Sequence, residues 1–248
     1  MLRRHFIKNT ALTTAGMMAL TKQLRAAGDG LTDYLSNLSH LSLDERIRSE
    51  TLWRAVGRHF NPADDFINLE YGYFSPSTLQ TLDHELADAR MVNARASHYF
   101  RREMYGDVER VRAELADMAG VLADEVCLTR NTTESMNIVI NGLDTAPGDE
   151  IIYGDQDYGS MIQVLRMKSA RYGVTLKRVK IPLHPASDDE IVNVYEEAIT
   201  PRTRLLHMTH MYNYSGQVIP VRKICDMGHR HGIESVVDAA HTFAHINY

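Results

Sequence analysis

The sequence predicts an α/β protein with a mainly parallel sheet and helices on both faces. From Glu125 onward, short apolar runs alternate with stretches of helical length, which is typical of βαβ units. The composition is that of a folded globular protein, with 44% hydrophobic and 24% charged residues in 248. The net charge of −5 comes without a basic cluster, which argues against a nucleic-acid partner.

The region before the alternation is predicted to be mostly helical. Leu43–Phe60 places apolar residues on one helical face, and helices are also predicted for Ser77–Phe100 and Asp107–Gly120. Gly120 is a suitable C-terminal stop for the last of these. The aromatic run Phe66–Pro76 is interpreted as a strand that leads into a loop.

The alternating region is predicted to contain five strands and the four helices between them. The strands are Val126–Thr129, Glu150–Tyr153, Thr175–Pro182, Arg204–Thr209 and Ser235–Asp238, and the helices are Ser135–Leu143, Ser160–Arg171, Asp189–Ile199 and Val221–His231. In parallel sheets, ligands bind outside the carboxyl ends of the strands. The turns that follow the strands are therefore where functional residues are expected.

The N-terminus resembles a twin-arginine export signal. Arg3 and Arg4 precede two apolar residues and Lys8, and the mild apolar stretch that follows is too short and too rich in threonine to span a membrane. Residues 1–27 are thus predicted to be a signal peptide, and the protein is predicted to be unanchored and either periplasmic or exported by the twin-arginine route. The alternative is a basic N-terminal helix.

The turn after the first strand of the alternating region has the features of an anion site. Asn131 is a good helix N-cap, and Glu134 is placed to reach back as in a capping box. The first-turn amides of Thr132 and Thr133 would then point outward beside two hydroxyls, as a phosphate site requires. Simple helix capping is the alternative.

Two later turns carry further candidates. Tyr158 follows a strand directly before a helix, where its ring could lie against a flat ligand or simply pack over the sheet edge. Asn213 follows the next buried strand, where it could donate to a bound oxygen or form an Asx turn with its own side chain.

Asp238 is the most informative residue of the sequence. It ends an apolar strand, where an ionised carboxylate is costly unless a positive group compensates it, and a protonated heterocyclic nitrogen would do so. Ala239 and Ala240 leave room beside it, and His241 follows in the same turn.

Together these turns resemble the class V aminotransferase family of pyridoxal-5′-phosphate (PLP) enzymes, and most of all its isopenicillin N epimerase-like branch. The resemblance runs from about Phe66 to Tyr248 and is carried by the segments Thr129–Glu134, Asp157–Gly159, Asn213–Gly216 and Val237–His241. It implies residues 28–75 as an N-terminal segment and residues 76–248 as part of the PLP-binding large domain. A homodimer acting on an amino-acid-like substrate, by aminotransferase or epimerase chemistry, is also implied.

The resemblance gives roles to three residues at the phosphate and ring face of the cofactor. Thr132 and Thr133 match the positions that bind the phosphate, and Tyr158 matches the residue whose ring stacks on the pyridine.

Three further residues match positions around the ring atoms. Asp238 matches the carboxylate that pairs with the pyridine nitrogen, and Asn213 and His241 match residues near the 3′-oxygen. Asp238 and His241 are therefore the predicted catalytic residues, because a protonated ring nitrogen makes PLP a stronger electron sink.

The sequence departs from the family in its lysines. Family members carry the Schiff-base lysine on a strand turn beyond the aspartate motif, and no lysine is placed in that way among Lys8, Lys22, Lys168, Lys177, Lys180 and Lys223. The chain is therefore interpreted as an inactive fragment of a longer enzyme, without the Schiff-base lysine and the small C-terminal domain.

Other functions remain as alternatives. A non-catalytic binding protein with the PLP-enzyme fold is one. A metal-dependent hydrolase is another, with His and Asp ligands at strand ends (His207, His210, Asp238, His241 and His245), although no H-E-x-x-H motif is present. A nicotinamide-binding domain is disfavoured because no G-x-G-x-x-G follows a strand.

Overall fold

The computed structural model describes residues 36–63 and 65–246. The chain divides into two compact units, Met1–Leu128 with Ala244–Tyr248, and Thr129–Phe243. The predicted signal peptide lies outside the described residues. Within the described ranges, no helix has both the length and the apolar character needed to cross a membrane.

The first unit contains the predicted helices. They are α1 (Leu43–Arg48), α2 (Glu50–Gly57), α3 (Leu79–Arg102) and α4 (Met104–Ala119). The single helix predicted for Leu43–Phe60 is split at Ser49, because the Ser49 side chain accepts from the Leu52 amide and caps a new helix. Gly120 ends α4 with a φ of 70°, so the predicted stop is confirmed.

The strand predicted within Phe66–Pro76 is wrong. The Asn68 carboxamide oxygen accepts from the Glu70 amide, and a Glu70 carboxylate oxygen accepts from the Tyr73 amide. These local bonds favour turns, and the segment joins no ladder among the described residues. An aromatic run makes a strand only where another strand is available to pair with it.

The second unit is built on a parallel sheet. Its elements are α5 (Thr132–Gly142), β1 (Glu150–Gly154), α6 (Gly159–Tyr172), β2 (Thr175–Val179), α7 (Asp188–Glu196), β3 (Thr203–Thr209), α8 (Val221–Arg230) and β4 (Glu234–Asp238). The strands lie in the order β2-β1-β3-β4, and every pair is parallel. The predicted strand Val126–Thr129 is wrong, because this segment pairs with no other strand in the described part of the chain.

Helices cover both faces of this sheet, as predicted. On one face, Ile151 of β1 and Leu205 of β3 pack with apolar residues of α5 and α6. On the other, Ile152 and Leu206 pack with residues of α7 and α8. Successive residues of a strand point to opposite faces, so the two clusters form separate layers of core. The predicted fold class is confirmed.

The strand order places a switch point between β1 and β3. The chain leaves β1 towards β2 on one side and leaves β3 towards β4 on the other. In open α/β sheets, the crevice for a ligand lies at the carboxyl edge where the direction of the connections reverses. The turns after β1 and β3 border this crevice.

Candidate functional site

The start of α5 forms one end of the candidate site. The Asn131 side chain accepts from the Glu134 amide at 3.0 Å, so the predicted cap is confirmed. Within the described residues, the amides and hydroxyls of Thr132 and Thr133 donate no hydrogen bond. These groups at a positive helix terminus are available to an anion.

The capping box differs in detail from the prediction. Glu134 reaches back to the Arg130 amide at 2.7 Å instead of the Asn131 amide, and the Arg130 guanidinium pairs with the same carboxylate at 3.2 Å. These side-chain and backbone hydrogen bonds lower the pKa of Glu134. The Arg130 guanidinium thereby compensates the negative charge of the Glu134 carboxylate, which reduces the repulsion between Glu134 and an anion bound at the helix start.

Asp238 forms the other end of the candidate site. It ends β4 and is buried, with 3% of its surface exposed. One carboxylate oxygen accepts from the Ala240 amide at 3.0 Å, whereas the second oxygen accepts no hydrogen bond from any described residue. A buried carboxylate with an open oxygen is suited to a positively charged hydrogen-bond donor.

These two ends lie on the same face and at the same edge of the sheet. Val236 of β4 packs against the cluster that holds Met136 and Ile140 of α5, and Asp238 shares the side of the strand on which Val236 lies. Lys168, near the end of α6, donates to the Leu143 carbonyl directly after α5. The two helices therefore run antiparallel to the strands, and α5 begins at the carboxyl edge.

Tyr158 lies in the turn after β1. Its side chain packs against the apolar cluster on the α5 and α6 face, as the packing alternative predicted. The residue is nevertheless only half-buried. Its amide donates to the Thr209 hydroxyl at 3.4 Å. The residue follows β1 at the sheet edge where the crevice between β1 and β3 is expected.

The structure places Asn213 and His241 at the same edge, on separate loops. The Asn213 carboxamide oxygen is enclosed and has no hydrogen-bond partner among the described residues, so the Asx-turn alternative is wrong. His241 is half-buried in the turn that begins at Ala239. Their expected contacts with the 3′-oxygen stay predictions.

Sequence reasoning missed Asp157, which connects β1 with β3. Its buried carboxylate accepts from the Gly154 amide at 3.0 Å, the Thr209 amide at 2.8 Å and the His207 ring nitrogen Nδ1 at 2.9 Å. One sequence pattern could have indicated a buried polar partner for β3. His207 and Thr209 are polar, two residues apart on an apolar strand, and thus share a buried face that requires a polar partner.

His210 is a second residue for which no role in a PLP site was predicted. Its amide donates to the Asp238 backbone carbonyl at 2.9 Å, which places it next to the predicted ring-binding residue. Burial lowers the pKa of His210, so the neutral imidazole is favoured. His210 is therefore a candidate neighbour of a ligand at Asp238.

Three of the described lysines are held away from this edge. The Lys168 ammonium donates to Leu143, the Lys177 ammonium donates to the Ala198 carbonyl, and Lys223 pairs with two aspartates at the start of α7 on the opposite face. Lys180 lies just beyond β2 and is exposed. None of these four lysines contacts the start of α5 or Asp238.

The metal-site alternative is not supported by the side-chain geometry. In the described part of the chain, no group of three or more His, Cys, Asp or Glu residues is placed to hold a metal ion. His207 instead donates to Asp157.

Comparison with known proteins identifies the family. Residues 74–248 match the aminotransferase class-V family, and the chain therefore belongs to it. Isopenicillin N epimerase of Amycolatopsis lactamdurans is 29% identical over 193 residues, which cover 77% of this chain and 48% of that protein. Cysteine desulfurase of Klebsiella pneumoniae (strain 342) is 32% identical over 155 residues, which cover 61% of this chain and 37% of that protein.

A solved structure supports the fold. A mutant of C-DES with glycine covalently linked to its PLP cofactor aligns with a TM-score of 0.69 at 23% identity, covering 75% of this chain and 50% of that one. The chain thus spans about half, or less, of the length of the proteins it matches.

Proposed function

We propose that this chain belongs to a PLP-dependent enzyme that acts on an amino-acid or amine substrate by aminotransferase or epimerase chemistry. In this proposal, the second unit binds the ring and the phosphate of the cofactor. Membership of the class-V family, the epimerase and desulfurase relatives, and the fold shared with a PLP-bound protein support it.

The observation that carries the proposal is the pairing of two complementary ends at one edge of the sheet. The start of α5 presents amides and hydroxyls that donate no hydrogen bond to a described residue, and Asp238, a buried residue, presents a carboxylate oxygen that accepts none from a described residue. A phosphate suits the first end and a protonated ring nitrogen suits the second. PLP carries both groups.

The residues of this chain then have distinct tasks. Thr132 and Thr133 bind the phosphate through amide and hydroxyl groups, and Tyr158 covers one face of the ring. The Asp238 carboxylate holds a proton on the ring nitrogen, because a nearby negative charge favours the protonated form. When bound, PLP supplies the electron sink for charge that develops on the substrate.

Titration of the purified chain with PLP, followed by absorbance and by quenching of protein fluorescence, tests this function. The Thr132→Val and Thr133→Val variants keep their amides and lose a hydroxyl each, so each should weaken PLP binding by about tenfold. Pyridoxal, which has no phosphate, is the matched ligand control and should bind the variants and the unsubstituted chain equally. Equal losses for both ligands, or no binding of PLP by the unsubstituted chain, would contradict the proposal.

We also propose that the Schiff-base lysine of the enzyme lies outside this sequence. The contacts of the described lysines away from the site support this. Mass spectrometry of the C-terminal peptide of the protein from its host tests it, because a peptide that ends at Tyr248 would contradict the proposal whether or not residues 1–27 are removed.

Assembly and export are further parts of the proposal. Ile138 and Val139 are exposed on α5, and Ile138 lies on the side opposite Met136 and Ile140, which gives an apolar surface for a homodimer. Light scattering of the full-length protein would test the dimer.

Replacement of Arg3 and Arg4 by lysine should retain the protein in the cytoplasm if residues 1–27 are a twin-arginine signal. Periplasmic recovery of that variant would refute the signal.

A further inference from the structure

Asp157 occupies the switch point between β1 and β3 and is fully bonded there. Its side chain and that of His207 have no exposed surface. One carboxylate oxygen accepts from the Gly154 amide and from the His207 ring, and the other accepts from the Thr209 amide. The carboxylate thus joins the carboxyl ends of two neighbouring strands.

The His207 ring is fixed by the same contact. A carboxylate only accepts hydrogen bonds, so the 2.9 Å contact requires a hydrogen on Nδ1 of His207. The other ring nitrogen, Nε2, is buried and has no hydrogen-bond partner among the described residues. Leaving a buried polar atom without a partner is costly, and the bond to Asp157 offsets part of that cost.

The hydrogen bonds of Asp157 also restrain Tyr158. Tyr158 directly follows Asp157 and immediately precedes α6, and its amide donates to the Thr209 hydroxyl. Thr209 is itself held by Asp157 through its own amide. The backbone of Tyr158 is therefore restrained by the residue before it and by a hydroxyl that this same residue positions.

We propose that Asp157 is a positioning residue that fixes the backbone of Tyr158, so that the Tyr158 ring is held ready to stack on the ligand at the crevice between β1 and β3. This role rests on the proposed function, because Tyr158 is the ring expected to cover PLP. Asp157 acts through Tyr158 and Thr209 and does not itself touch the ligand.

The opposite edge of β3 provides a matched control. The Thr203 hydroxyl is buried, accepts from the Thr200 amide at 2.9 Å and contacts a Glu150 carboxylate oxygen at 3.5 Å. Thr203→Val removes a buried polar group from the same strand, at the edge away from the candidate site. It reports what a loss of stability alone does to ligand binding.

The experiment compares Asp157→Asn with Thr203→Val by amide hydrogen exchange and by PLP titration. In the ligand-free chain, Asp157→Asn should speed exchange of the Tyr158 and Thr209 amides by about tenfold or more beyond any change common to the whole unit. Thr203→Val should leave these two amides protected. The Kd for PLP should rise by about tenfold in Asp157→Asn and by less than about twofold in Thr203→Val.

Unchanged protection of the Tyr158 amide in Asp157→Asn would overturn the positioning role, as would equal weakening of PLP binding by both variants. If Asp157→Asn does not fold, Thr209→Val replaces it. That variant removes the acceptor of the Tyr158 amide and should expose this amide alone. If the unsubstituted chain binds no PLP, the proposed function fails, and the exchange rates decide by themselves whether Asp157 holds Tyr158.

Discussion

Replacement of Asp238 by asparagine should change the stability of the chain and its affinity for PLP in opposite directions. Asp238 is 3% exposed, and its side chain accepts one hydrogen bond, from the Ala240 amide. Asparagine has the same shape, and its carbonyl oxygen can still accept from Ala240. The substitution therefore removes a buried charge without creating a cavity.

The magnitude follows from the surroundings of the carboxylate. Burying an unpaired ion costs several kcal/mol, and a single charge-assisted hydrogen bond returns about 1.5–3 kcal/mol of this. We therefore expect Asp238→Asn to raise the free energy of unfolding of the ligand-free chain by about 1–2 kcal/mol. The substitution also removes the ion pair with the ring nitrogen of PLP. The free energy of PLP binding should therefore become less favourable by about 2 kcal/mol, which raises the Kd for PLP roughly thirtyfold.

Urea denaturation and PLP titration of the same preparations measure both effects. Asp157→Asn is the informative comparison, because Asp157 lies at the same edge but accepts three hydrogen bonds. It should lower the free energy of unfolding by about 2–4 kcal/mol. Exposed Asp226 is the neutral control, and Asp226→Asn should stay within about 0.5 kcal/mol of the unsubstituted chain.

Two outcomes would refute the reasoning. A loss of stability in Asp238→Asn similar to that of Asp157→Asn would mean that the second oxygen of Asp238 has a partner in the ligand-free chain. An unchanged Kd for PLP would remove Asp238 from the ring-binding role. A full-length enzyme with undiminished turnover after Asp238→Asn would do the same.

The remaining predictions concern pH, packing and capping. Burial lowers the pKa of His210. As the pH falls below about 6.5, the unfolded chain therefore binds a proton that the folded chain disfavours, and the free energy of unfolding should fall by up to about 1.4 kcal/mol per pH unit. In urea titrations from pH 7 to 5, His210→Gln should flatten this pH dependence, whereas His229→Gln, at an exposed histidine, should not. Gly154→Ala places a Cβ 2.7 Å from the Tyr212 hydroxyl, so it should lower the urea midpoint by the equivalent of about 1–3 kcal/mol. Tyr212→Phe should restore part of that loss, and a Gly154→Ala chain as stable as the original would show that the hydroxyl moves freely. Asn131→Ala should cost about 1 kcal/mol in the same assay by removing the cap of α5, and no cost would show that the cap bond is not formed in solution.

Much of the second unit could be predicted from local sequence. The strands β1, β3 and β4 begin within one residue of their predicted starts, because continuous apolar runs between stretches of helical length have few other stable arrangements. The Asn131 cap and the position of Asp238 at a strand end were also predicted correctly, since both depend on residues adjacent in the chain.

The failed strands show where local sequence stops being sufficient. Val126–Thr129 and Phe66–Pro76 have strand-like composition, but a strand exists only where another backbone completes its hydrogen bonds. Composition reports the preference of a segment and carries no information about its partner.

The sequence by itself determined the parallel α/β architecture, the capped helix start at Thr132 and the acidic end of β4. Only the tertiary structure decided that Asp157 meets His207 and Thr209, because fifty residues separate these groups in the chain and the strand order brings them together. The open oxygen of Asp238 was likewise decided by packing, since the number of donors that reach a buried carboxylate depends on every element around it.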